Sequence, residues 1–176
     1  DLYLNYGHGF HSNDARGVIL GAGSATPLTR ATGSEAGART RLFDRWDVGI
    51  AAWQLDLDSE TVWLGDEGTT EAAGRSRRFG GELETRFEVT RWLSADLDLT
   101  ATRSQLTQNA GNGNSVALAP RLTWSGGLSA RHPGGLRAGW RFYGLSDRPA
   151  TEDYPAPGSL VADGFTVFDL HLGFRH

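Results

Sequence analysis

Cysteine, methionine and lysine are all missing from the 176-residue chain, whose 17 basic residues are all arginine. Without cysteine there is no disulfide, no thiolate metal site and no cysteine nucleophile. A chain that keeps its own start codon carries a methionine, so this one reads as a processed product or an internal piece. Asp1 opens no basic, apolar, small-residue signal segment. Long apolar runs are absent as well: no window approaches about 18 consecutive apolar residues, which excludes a transmembrane helix. Charge is balanced, with 22% charged residues and a net charge of −4, so neither nucleic acid nor an anionic membrane surface is the main partner.

What the chain does contain is alternation with period two, the mark of strands with one apolar and one polar face. Phe79, Gly81, Leu83, Thr85, Phe87 and Val89 form one row, against Arg78, Glu82, Glu84, Arg86 and Glu88. Leu93, Ala95, Leu97, Leu99 and Ala101 oppose Ser94, Asp96, Asp98 and Thr100. The pattern returns at 116–131, starting from Val116 and Leu118, at 136–145 around Trp140 and Arg141, and at 167–175 around Leu170 and Asp169. The first part is rougher: Leu2, Leu4 and Tyr6 form a row, and Ala36, Ala38 and Leu42 oppose Glu35, Arg39 and Arg41. Between 46 and 64 the apolar parity changes from Trp46, Val48 and Ile50 to Trp53, Leu55 and Leu57, which predicts a β-bulge near Ala51-Ala52. The total is about eight strands with no helix.

Connections alternate in length. Short turns fall near 43–45, 90–92 and 132–135, and long polar links near 11–33, 65–77, 108–115 and 148–163. An antiparallel up-and-down meander with turns on one rim and long loops on the other is the plan of a transmembrane β-barrel. Several segments exceed the roughly 9–11 residues that cross a bilayer at a tilt. Phe43, Trp46 and Trp92 lie beside the short turns, and Trp63, Phe79 and Phe165 toward the long loops, as aromatic belts at two interfaces would. The competing folds are a complete small eight-stranded outer-membrane protein of structural or adhesive role, and a soluble β-sandwich binding module. A three-residue turn at Thr90-Arg91-Trp92 sets a register in which Arg86 opposes and bridges Asp96, and Glu84 opposes Asp98.

The same rows and the strand end at His8 carry the residues of reactive chemistry. His8, His11 and Asp14 invite a metal, but on an extended segment the two histidines point to opposite faces. No Gly-x-Ser-x-Gly elbow and no His-Glu-x-x-His occurs, so neither catalysis nor a resident cofactor is called for. Glu82 and Glu84 share a face with Arg78 and Arg86 and read as ion-pair partners.

The segment Tyr6-Gly7-His8-Gly9-Phe10-His11-Ser12-Asn13-Asp14-Ala15-Arg16-Gly17 resembles a strand-to-loop motif in the C-terminal half of TonB-dependent outer-membrane receptor barrels. Leu55 to Glu60, Gly65 to Glu71 and Ser76 to Glu84 are similar to the next strand, loop and strand, and Phe168 to Arg175 to a late strand. The resemblance implies a partial barrel domain over residues 1–176, about eight strands of a barrel of about 22, without the family's plug domain or TonB box. It also implies an outer-membrane receptor that imports a scarce ligand such as an iron-siderophore complex or cobalamin. The partners it brings are membrane lipid, the receptor's own plug, the imported ligand, and TonB only through the plug. In such a barrel the polar rows are the lumen wall, so Arg39, Arg41, Asp56, Glu60, Arg78, Glu82, Glu84, Arg86, Asp96, Asp98, Arg121 and Arg141 become lumen- or plug-facing candidates. His11, Asn13, Asp14 and Arg16 become loop contacts for the ligand.

Overall fold

A computed structural model of the chain describes residues 1–12, 27–64, 69–107, 113–151 and 153–175, with the backbone alone at 60–64 and 69–73. None of the described residues is helical. The strands are β1 (Leu2–Ser12), β2 (Leu28–Leu42), β3 (Trp46–Leu64), β4 (Thr69–Glu88), β5 (Leu93–Leu106), β6 (Leu122–Arg131), β7 (Leu136–Leu145), β8 (Arg148–Pro149), β9 (Val161–Ala162) and β10 (Phe165–Phe174). Eight of them form one sheet in the order β1-β2-β3-β4-β5-β6-β7-β10, each antiparallel to its neighbours, while β8 and β9 make a separate two-residue ribbon. The large sheet is open: β1 and β10 are its edges and do not pair with each other.

Three tight turns lie on one rim. Phe43 and Asp44 both take left-handed backbone (φ 52° and 54°), and the Arg45 N–H donates to the Leu42 carbonyl at 3.2 Å. Two successive residues of positive φ match the right-handed twist of the flanking strands. In the β4–β5 turn the Thr90 hydroxyl accepts the N–H groups of Trp92 and Leu93 at 3.2 and 3.0 Å. The β6–β7 turn closes with the Gly135 N–H on the His132 carbonyl at 3.0 Å, Gly135 taking φ 94°.

The strands reach further toward the opposite rim than the alternation suggests. The described ends of the links expected at 11–33 and 65–77 are strand: β1 runs to Ser12, β2 starts at Leu28, β3 runs to Leu64 and β4 starts at Thr69. Conversely, the strand expected from Val116 begins only at Leu122: Leu118 adopts φ 60°, and its N–H bonds the Pro149 carbonyl at 2.7 Å.

One face carries Ala38, Val48, Ile50, Leu83, Leu97, Leu99, Leu128, Trp140, Phe168, Leu170 and Leu172, paired strand to strand. It is uncovered: Ile50 is 54% exposed and Leu172 71%. A soluble sandwich would lay a second sheet on these side chains, and among the described residues there is none.

The buried side chains of the large sheet, Thr29, Leu57, Ser76 and Leu106, sit on the other face, near the long-loop rim. Leu57, Ser76 and Leu106 occupy one cross-strand row, and the loop after β5, which carries the buried Val116, is tied to it by the Leu106 N–H on the Asn114 carbonyl at 2.7 Å. That cluster corrects the bulge expected at Ala51-Ala52, because β3 pairs without interruption from Trp46 to Leu57 on both sides and shifts register only between Leu57 and Thr61. The apolar parity changes because the environment changes. Trp46, Val48 and Ile50 belong to the uncovered face near the turns, while Trp53, Leu55 and Leu57 belong to the other face and lead to the buried row at Leu57.

Candidate functional site

The charged face forms an open concavity near the turn rim, lined by Arg39, Arg41, Asp47, Glu84, Arg86, Asp96, Asp98 and Arg141 among others. Four guanidinium groups thus stand among four strand carboxylates. Their order follows from register. One row across seven strands reads Arg41, Asp47, Arg86, Asp96, Gly127, Arg141, Asp169. Positive and negative residues alternate along it, with glycine taking one place. Opposite charges on directly paired residues favour this register over one shifted by a residue, which would turn every one of them to the apolar face.

The bonds made are not all nearest-neighbour bonds. Arg41 reaches Asp47 at 3.4 Å, Glu88 at 3.0 Å and the Asp44 carbonyl at 2.8 Å. Arg141 Nη1 donates to both oxygens of Asp96, at 2.7 and 2.6 Å. Between them lies Gly127, the direct pairing partner of both. Any side chain there would stand in the path, so glycine makes the two-strand reach possible. Arg86 does oppose Asp96, as the turn assignment predicts, but the carboxylate pairs with Arg141 and not with Arg86.

The next row repeats the device with less balance. Arg39, Gly49, Glu84, Asp98, Ser125 and Tyr143 lie in line, and Gly49 leaves the gap between Arg39 and Glu84. Glu84 and Asp98 are opposed like charges, and the Ser125 hydroxyl donates to Asp98 at 3.2 Å. Arg39 also stacks over the Tyr3 ring at 5.4 Å. Glu82 lies one row higher, opposite Thr100.

Of the other candidates, Arg78 is on the same face nearer the long loops, opposite Leu55 and Ser104. Arg121 precedes β6; its carbonyl accepts the Thr102 N–H at 2.8 Å and its guanidinium covers the Tyr154 ring at 5.4 Å. Asp56 is corrected to the opposite face. With no bulge at 51–52 it keeps the parity of Trp46 and Ile50, and there it binds Arg77 Nε at 2.6 Å and Gln54 Nε2 at 2.7 Å. The backbone of Glu60 pairs with Gly74 at the register shift. His11 is one residue from the end of β1 opposite Thr29, whereas His8 lies on the apolar face, bonded to Thr32 Oγ1 at 3.0 Å. Asn13, Asp14 and Arg16 lie outside the described residues.

Sequence reading missed Asp47, Gly49, Gly127 and Ser125 as members of this site. The glycines carry no polar signal of their own, and only the register of non-local strands shows what they separate.

The model of the TonB dependent receptor-like β-barrel family matches residues 1–176. The chain belongs to that family. Its barrels are outer-membrane receptors rather than enzymes. No curated protein matches the chain significantly in sequence. Among solved structures, the ferric yersiniabactin uptake receptor FyuA from Yersinia pestis superimposes with TM-score 0.70 at 16% identity, over 98% of this chain and 27% of that one. The copper transporter OprC gives 0.71 at 17%, over 99% and 28%. The siderophore receptor PiuA from Acinetobacter baumannii gives 0.68 at 14%, over 99% and 27%. The chain therefore spans little more than a quarter of those structures, and the likeness is one of fold.

Proposed function

We propose that residues 1–176 are part of the barrel wall of a TonB-dependent transporter that imports a scarce ligand across the bacterial outer membrane, an iron-siderophore complex or cobalamin being the class favoured. The observation that carries this reading is the charged row from Arg41 to Asp169 on the concave side of a sheet whose other side is uncovered and apolar. A barrel filled by its own side chains has no use for such a hydrated wall, whereas one occupied by a polar plug does. Arg39, Arg41, Arg78, Glu82, Glu84, Arg86, Asp96, Asp98, Arg121 and Arg141 then face the lumen and the plug. The long loops, with His11, Asn13, Asp14 and Arg16 among them, meet the ligand outside. TonB acts on the plug and touches this wall only through it. Membrane lipid covers the apolar face, and the chemistry needs no cofactor.

The names of the solved neighbours, which include several iron and siderophore receptors, support the ligand class. The test is uptake of radiolabelled ferric siderophores and cobalamin by cells whose sole receptor is the full-length parent. Uptake of one of them that vanishes when TonB is deleted supports the proposal. Uptake unchanged by the deletion overturns it.

A further inference from the structure

The face that carries Ile50 and Leu97 is charged at one rim only. Near the short turns one row of it reads Leu42, Trp46, Phe87, Ala95, Leu128, Trp140. Toward the long loops its paired residues include Arg30, Asp56, Arg77 and Arg103, three guanidinium groups to one carboxylate. Beyond them Arg75 lies 3.8 Å from Asp58, one charge of each sign. Asp56 is held on both oxygens, by Arg77 Nε at 2.6 Å and by Gln54 Nε2 at 2.7 Å. The two terminal nitrogens of Arg77 bond nothing among the described residues. Arg103 directly opposes Phe79, and Arg77 opposes Gln105, so the two arginines are diagonal neighbours with Cβ atoms about 7–8 Å apart. In the amide orientation that suits both groups, Gln105 Oε1 accepts from Nη2 and Nε of Arg103 at 3.1 and 3.2 Å, which leaves Nη1.

Depth decides what meets these side chains. Ten residues of β3 separate Trp46 from Asp56. At roughly 3.3 Å per residue and a tilt of about 40° they rise about 25 Å, the height of the apolar band that a barrel turns to lipid. The rings of Trp46 and Phe87, edge-on at 6.4 Å, mark one boundary of the hydrocarbon, and Phe79, 42% exposed, stands just inside the other. Arg77 and Arg103 therefore lie at the headgroup level of a single leaflet. Cations beside lipid meet headgroup phosphate there, and guanidinium forks match its oxygens. A diagonal pair closes on one phosphate from two sides. A phosphate shared by both leaflets would favour cations at both rims, whereas these stand at the long-loop rim alone. We propose that Arg77 and Arg103 bind one phosphate of a lipid confined to the outer leaflet, with its acyl chains starting against Phe79. All three side chains lie on one face and on the inner strands β4 and β5. This rests on the outer-membrane reading above.

The test uses the full-length receptor in detergent and native mass spectrometry, with phosphorylated lipid A, the same lipid stripped of its phosphates, and inorganic phosphate as separate probes. The unaltered protein should retain phosphorylated lipid A, and Arg77→Gln/Arg103→Gln should bind it about tenfold more weakly, since charge-assisted bonds from both strands are lost. Arg91→Gln, in the β4–β5 turn at the other rim, should bind as the unaltered protein does. Heat-modifiable migration on gels shows whether each variant is a folded barrel. If the double variant fails to fold, Arg103→Gln gives the reading, with affinity lowered about threefold. Equal binding of the stripped lipid, equal affinity of the folded arginine variants, or retention of inorganic phosphate in preference to the lipid each overturns the proposal. Because binding is read on purified folded barrel, a receptor whose uptake proves independent of TonB still gives a lipid result, so the two proposals fail separately.

Discussion

Arg141 on β7 bonds both oxygens of Asp96 on β5, the shorter contact being 2.6 Å, by passing over Gly127 of the strand between them. Asp169 lies directly opposite Arg141 on its other side, but the guanidinium reaches toward Asp96, so the bond ties β5 to β7 across β6. The pair is half-shielded, with 40% and 25% of the two side chains exposed. Isolated exposed pairs contribute about 0–1 kcal/mol, and this one gains from its two hydrogen bonds and from its place in a network.

Gly127→Val should therefore be costly. A Cβ there would meet Arg141 Cδ at 3.0 Å and press on the Trp140 carbonyl, forcing the strands apart or displacing the arginine. Loss of about 1–3 kcal/mol is expected, the range for overpacking, read as a lower temperature of heat modification in the full-length receptor. Gly7→Ala should leave that temperature unchanged, because a Cβ at Gly7 meets nothing within 4 Å.

Neighbouring carboxylates should respond differently to neutralisation. Asp96→Asn removes the partner of Arg141, whereas Asp98→Asn removes one of two opposed like charges, Glu84 and Asp98. The first should destabilise by about 1 kcal/mol and the second by nothing measurable, or with a slight gain. Raising the salt concentration should narrow the gap. Urea-induced loss of heat modification at low and high salt checks both.

The apolar face predicts an asymmetry between the two faces of one strand. Leu97→Arg places a charge among lipid chains and should cost about 2–4 kcal/mol of insertion free energy. Thr100→Arg, on the charged face opposite Glu82, should be tolerated. The amount of heat-modifiable receptor in outer-membrane fractions distinguishes them, and equal loss would remove the face assignment.

Topology is checked by thiol labelling of intact cells. Cysteine at Asp153, exposed in the long β8–β9 connection, should react with a membrane-impermeant maleimide, and cysteine at Gly134, in the β6–β7 turn, should not. Reaction of both would contradict the placement of the turns on the inner rim.

The alternation alone carried the number of large strands, their antiparallel order, the rim of short turns and the register that sets Arg86 against Asp96. It failed where one strand passes through two environments. Periodicity reports what each face touches, and the face of β3 bearing Ile50 turns polar at Gln54 and Asp56 while the other turns apolar from Trp53 to the buried Leu57. That exchange looks like a one-residue slip in the sequence, and it put Asp56 on the wrong side. The partner of Asp96 was hidden for another reason: Arg141 is 45 residues away, and its reach depends on a glycine in a strand that belongs to neither.

The central claim is a wall with lipid on one side and a hydrated lumen on the other. Nitroxide labels placed singly at positions 94 to 101 of β5 in the full-length receptor, reconstituted in bilayers, test it most directly. Collision with oxygen should peak at 95, 97, 99 and 101, and collision with a water-soluble nickel chelate at 94, 96, 98 and 100, in opposite phase with period two. Labels that meet the nickel chelate equally at every position, or oxygen equally at every position, would contradict a two-faced barrel wall.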